Sequence, residues 1–149
     1  MLTDALLAWI HFVLAFLLVG TLVAEAFILR LPVDGQVARL LARVDLFYGL
    51  SAALLIVAGV SRVIWGVKGW AYYQGEPFFW AKMAAFAVVG LISIAPTLTF
   101  LRWRRAAAAT DAFVAPEGEV RRIRRYVMGE VHLIAILLFF AVLMARAIG

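Results

Sequence analysis

The chain predicts an all-α integral membrane protein, an antiparallel four-helix bundle, and three observations carry that prediction. Of its 149 residues, 66% are hydrophobic and 15% charged, against roughly 45–50% apolar and about 25% charged in soluble domains. The apolar residues gather into four runs of about 20 to 25 residues, each long enough to cross a hydrocarbon core of about 30 Å at about 1.5 Å per residue. The basic residues sit almost wholly between the runs. A single membrane domain covering residues 1–149 is expected.

The first run, Ala5 to Leu29, carries a small-x-small pattern at Ala24-Glu25-Ala26, but it lacks a basic n-region and exceeds the usual apolar length of a leader, so it is read as a membrane helix. The second run spans Leu46 to Trp65, where the close spacing of Gly49, Ala52, Ala53 and Gly59 reads as a helix-packing stripe. The third spans Phe78 to Leu101. Within it Pro96 predicts a kink whose freed carbonyl Ser93 or Thr97 would meet. The fourth spans Tyr126 to Ile148. Pro32 and Pro77 punctuate loops, and Ala106 to Pro116 reads as a helical extension of the third run or a flexible linker.

The formal charge is +5, and its placement decides what it means. Arg30, Arg39 and Arg43 in the first connection, with Arg102, Arg104, Arg105, Arg121, Arg122, Arg124 and Arg125 in the second, flank one membrane surface. Arg62, Lys68 and Arg146 lie near the other. The positive-inside bias then places both termini away from the cytoplasm of a bacterial inner membrane. Trp9, Trp65, Trp70, Tyr72, Tyr73 and Trp80 form an outer aromatic belt, and Trp103 and Tyr126 an inner one. Topology and lipid headgroups account for the basic loops, so no nucleic-acid partner is expected.

The chain holds no cysteine. Disulfides, thiolate metal sites and thioether-attached haem are thereby excluded, and any cofactor must be held by nitrogen, oxygen or methionine sulfur. No phosphate-cradling glycine loop, zinc-ligand spacing or hydrolase triad is present.

An internal echo relates the halves. Asp34-Gly35-Gln36-Val37-Ala38-Arg39-Leu40 resembles Glu117-Gly118-Glu119-Val120-Arg121-Arg122-Ile123, and Trp9-Ile10-His11 with its following residues resembles Trp80-Ala81-Lys82 with one gap. Two repeated hairpins around a two-fold along the membrane normal would follow, with any shared site near that axis. Each glycine-containing stretch is expected to start a short basic amphipathic helix on the inner surface, with Asp34 or Glu117 near its N-terminus.

Polar residues inside a bilayer are costly and mark where function is sought. His11, Arg62 and Lys82 share one outer layer that has no obvious carboxylate, which suits an anionic ligand such as haem propionates, a quinone oxygen or a lipid phosphate. Glu25, Asp45, Thr97, Thr99, Glu130 and His132 form an inner group near Arg30, Arg43 and Arg125. At 100° per residue Glu25 falls about 40° from His11, and Thr97 about 60° from Lys82, with Ser93 on the latter stripe. Glu130 and His132 are about 200° apart and cannot face one pocket. The inner carboxylates either pair with arginines to fix the bundle or relay protons.

His11 and His132 cannot clamp one haem. Each lies about 9 Å below a different boundary of a core about 30 Å thick, leaving roughly 12 Å between them, whereas axial nitrogens must approach to about 4 Å. A single-histidine haem at His11 remains open, with Lys82, a tyrosine, Met83 or nothing at the sixth position.

The histidine of the first run, Ala42-Arg43-Val44-Asp45-Leu46-Phe47-Tyr48-Gly49, Arg62, Lys68-Gly69-Trp70, Pro77-Phe78-Phe79-Trp80-Ala81-Lys82 and Ser93-Ile94-Ala95-Pro96-Thr97 together resemble a family of bacterial four-span membrane proteins classed as a domain of unknown function. The resemblance covers nearly the whole chain. More distantly the chain resembles HemJ-type protoporphyrinogen oxidases and CopD-like membrane domains. That resemblance implies haem-linked redox roles for His11 and Lys82. Glu130 corresponds to the glutamate of the HemJ-type Asn-Glu-x-Pro motif, but Gly129 replaces the asparagine and His132 the proline.

Two functions follow. In one, His11 ligates haem b near the outer face, Arg62 or Lys82 holds a propionate, and the protein oxidises or exchanges electrons with a small hydrophobic substrate such as a porphyrinogen or quinol. In the other, a non-redox carrier or accessory subunit binds an anion or lipid through the outer cations. The bilayer surrounds either, and a homo-oligomer or a membrane redox partner is expected.

Overall fold

A computed structural model describes residues 2–66 and 69–146, with the side chains of 144 and 145 left aside. Lys68 and the last residues of the fourth run lie outside the described residues. The chain is helical almost throughout: α1 (Leu2–Ile28), α2 (Gly35–Trp65), the short α3 (Gly69–Gln74), α4 (Pro77–Ala109) and α5 (Glu117–Arg146). Four helices are long and apolar enough to cross a membrane: Leu2–Ile28, Gly35–Trp65, Pro77–Ala109 and, within α5, Glu117–Leu143. The all-α four-helix membrane bundle is the fold observed.

α1 packs on α2 and α5, and α4 packs on α2 and α5, while among the described residues the backbones of the diagonal pairs do not approach closely and α2 meets α5 across the centre through side chains. The helices therefore stand in a ring in the order α1, α2, α4, α5. α1 and α4, which open the two hairpins, occupy one diagonal, and α2 and α5 the other. A two-fold along the bundle axis would produce this arrangement.

The expected short amphipathic helices do not form as separate pieces. Asp34 caps α2, its carboxylate accepting from the Gln36 and Val37 amides at 2.9 Å, and no breaker stands between that cap and Leu46. One buried stripe, Ala38, Leu41, Ala42, Asp45, Tyr48, continues from the basic stretch into the apolar run. α5 repeats this with Ile123, Val127, Glu130 and Ile134. At about 1.5 Å per residue both helices are longer than a bilayer core and carry their stripes beyond it.

The core concentrates at the arginine-rich end. Leu18, Leu22, Leu29, Leu41, Phe100, Trp103, Ile123 and Val127 are buried together there. Beyond the helix ends Asp34 bridges to Val114, and the Ala115 amide donates to the Val33 carbonyl at 2.9 Å. Ala106–Ala109 thus extends α4, while 110–116 is a loop pinned to the first connection. Glu119 completes the clasp: it pairs with Arg102, lies 3.5 Å from Arg122 and accepts from Trp103 Nε1 at 2.8 Å.

At the other, aromatic end, α3 packs on α2 and α4. Gly69 starts it with φ 67°, a left-handed conformation that favours glycine. Trp70 stands edge-on to Trp80 at 6.3 Å, Phe79 edge-on to Trp80 at 5.4 Å, and Trp80 Nε1 donates to the Gln74 carbonyl at 3.1 Å. Glu76 caps α4 ahead of Pro77.

Two packing expectations fail. Gly49 and Ala53 are exposed, so the small-residue stripe is no seam; of that set, only Ala52 and Gly59 turn toward neighbouring helices. Pro96 is buried within α4, but Ser93 donates to the Gly90 carbonyl at 2.8 Å and Thr97 reaches across to α2. Neither serves the carbonyl that Pro96 frees, which belongs to Ile92.

Candidate functional site

Intramembrane polarity collects in two layers of opposite character. In the layer toward the aromatic end, His11 of α1 feels the charge of both Arg62 of α2 and Lys82 of α4, and Lys82 that of Arg62. All three side chains are half-buried. The imidazole lies against Gly59, where an added Cβ would sit 3.7 Å from its Cε1. Lys82 Nζ lies 5.7 Å from the centre of the Phe79 ring, a cation–π contact that accommodates the charge without a carboxylate. His11 Nδ1 and Arg62 Nε are buried with no hydrogen-bond partner among the described residues. Three helices thus deliver an imidazole and two cations to one depth, and two of their polar atoms are left unmatched.

The second layer lies within the packed core. Glu25 is 2% exposed, Asp45 7% and Glu130 1%. Tyr48 donates to Glu130 Oε2 at 3.0 Å, and Thr97 donates to Asp45 Oδ1 at 2.9 Å. Glu25 interacts electrostatically with both Asp45 and Glu130. All four spanning helices contribute: Glu25 from α1, Asp45 and Tyr48 from α2, Thr97 from α4 and Glu130 from α5. Glu25 Oε1 and Glu130 Oε1 remain buried without hydrogen-bond partners among the described residues. Among the described residues no set of three histidine, cysteine or carboxylate groups is placed to hold a metal.

Sequence reasoning grouped His11, Arg62 and Lys82 at one depth, and the structure brings them together. It does the same for Glu25, Asp45, Thr97 and Glu130. His132 does not join them. It is exposed on the face of α5 turned away from Glu130, and its Nδ1 lies 2.6 Å from the Met128 carbonyl of its own helix. Two residues of helix separate them, so when Glu130 faces the bundle His132 must face out.

Arg30, Arg43 and Arg125 are likewise exposed and pair with none of the buried carboxylates. Among the described residues the ion pairs all belong to Glu119. Tyr48 was missed as a site residue. Its signal was legible, because Asp45, Tyr48 and Ser51 recur at three-residue intervals on one helical face, and all three are buried.

Comparison with protein families decides the membership. The chain belongs to the DUF2214 family. That family is described as predicted membrane proteins, and its model matches residues 3–149. Neither the comparison with curated proteins nor that with solved structures gave a match. DUF2214 membership thus covers the whole bundle, including both polar layers, and the family description carries the membrane assignment without an activity.

Proposed function

We propose that this DUF2214 protein is a small membrane redox protein that holds a b-type haem in the layer of His11, Arg62 and Lys82. The observation that carries the reading is the pairing of an unpartnered buried imidazole nitrogen with an unpartnered buried guanidinium nitrogen at one depth, with a lysine beside them and no carboxylate pairing with either cation among the described residues. That donor set fits haem, which asks for one imidazole ligand and for cations at its two propionates. His11 would hold the iron through an imidazole nitrogen, and Arg62 and Lys82 would hold the propionates. Haem bound there would supply one-electron chemistry toward a small hydrophobic donor such as a porphyrinogen or quinol.

The imidazole lies against Gly59 at the α1–α2 contact, and Phe79, whose ring lies beside Lys82, packs edge-on to Trp80. Large exposed apolar side chains along all four helices match a lipid surround. We place the arginine-rich end at the cytoplasmic face of a bacterial inner membrane, with both termini opposite, on the positive-inside bias.

A second reading rests on the same unmatched cations: a non-redox carrier or accessory subunit binding an anion or lipid phosphate. Oxidised and dithionite-reduced spectra of the purified protein, with pyridine-haemochrome quantification, separate the two. A Soret band at one haem per chain is expected, lost in His11→Ala and kept in His132→Ala. A colourless protein after haem-supplemented expression overturns the haem reading and favours the anion site. Equal haem loss in both variants contradicts His11 as ligand.

A further inference from the structure

The layer at the arginine-rich end raises a separate question of charge. Glu25, Asp45 and Glu130 bring three carboxyl groups into the packed interior of a membrane bundle. Burying ionised carboxylates together without a counter-charge is prohibitively costly, so such a cluster binds a cation or holds protons. Among the described residues no counter-charge pairs with it. From α1 the cluster is faced by Glu25, from α2 by Asp45 and Tyr48, from α5 by Glu130, and from α4 by hydroxyls alone. The arginines nearest in sequence point outward.

A second, independent observation points to the ligand. Glu25, 98% buried by its 2% exposure, presents an oxygen to this interior with no partner, and so does Glu130. A carboxyl group that carries a proton is neutral, so protonation removes the cost of burying an unmatched charge there and leaves an O–H that can donate within the cluster. A metal ion fits less well. No three histidine, cysteine or carboxylate groups converge on a metal position among the described residues.

We propose that Glu25, Asp45 and Glu130, with Tyr48 and Thr97 as fixed donors, form a proton-exchange site inside the bundle. A carboxyl group gives up its O–H proton to water at the arginine-rich end and becomes a carboxylate; the reverse step reloads it. No electron moves, and the only ligand is the proton. The site does not depend on haem at the opposite layer.

The test is infrared difference spectroscopy of the purified protein in lipid nanodiscs, across a pH titration and in H2O against D2O. A protonated-carboxyl band at neutral pH that moves to lower frequency in D2O is expected. Glu25→Gln should remove the intensity of one carboxyl, and Tyr48→Phe should shift the band without removing it. Helical circular dichroism confirms that each variant is folded, and the wild-type band with Asp45→Asn serves if Glu25→Gln does not fold. Absence of any protonated-carboxyl band from folded wild-type protein at neutral pH overturns the proposal. Loss of the band on adding sodium or calcium chloride at constant pH also overturns it, assigning a cation site instead.

Discussion

The two polar layers differ in sign, in burial and in the packing around them. Toward the aromatic end, two cations and an imidazole sit half-buried among side chains of which few are fully enclosed. Toward the arginine-rich end, three carboxyl groups are enclosed by the densest part of the core. The comparison teaches how a small bundle accommodates polarity in lipid. Long basic side chains can reach an interface or an aromatic face, as Lys82 does over Phe79. Short carboxyl groups cannot, so Asp45 and Glu130 are held by hydroxyls from neighbouring helices, and that demands tight packing.

The contrast in packing has the largest expected effect. Trp103 is 2% exposed, packs on Phe100 and donates to Glu119. Trp103→Ala should destabilise the bundle by about 3–5 kcal/mol, whereas Trp70→Ala at the half-exposed aromatic end should cost less than about 1 kcal/mol. Reversible unfolding in mixed micelles measures both, and equal losses would break the comparison.

The contrast in hydrogen bonding comes next. Tyr48→Phe leaves Glu130 without its donor in a buried setting and should cost about 1–3 kcal/mol by the same assay. A neutral outcome would mean that Glu130 has another donor. The smallest effect belongs to the cap outside the hydrocarbon region. Asp34→Ala removes the acceptor for the Gln36 and Val37 amides and should cost about 1 kcal/mol, visible as faster amide exchange confined to the start of α2.

Much of this was legible beforehand. Helical periodicity and depth counting placed His11 with Arg62 and Lys82, and separated Glu130 from His132, because rise and rotation per residue are nearly constant along an apolar helix. The packing stripe of Gly49 and Ala53 was misread, since small residues face lipid as readily as they face a neighbour. The continuity of α2 and α5 past the membrane boundary was missed because hydropathy falls there while the buried stripe persists.

By itself the sequence determined that this is a membrane protein with four spans, and which polar residues share a level along the helices. Both follow from local quantities: the transfer cost of side chains and the fixed geometry of one helix. Which residues meet was decided only by tertiary structure. Tyr48 finds Glu130 across 82 positions of sequence, and Thr97 finds Asp45 across 52. Such pairings depend on the ring order of the helices and on how each is rotated about its axis. Those are set by packing among all four helices at once, and no single helix carries that information.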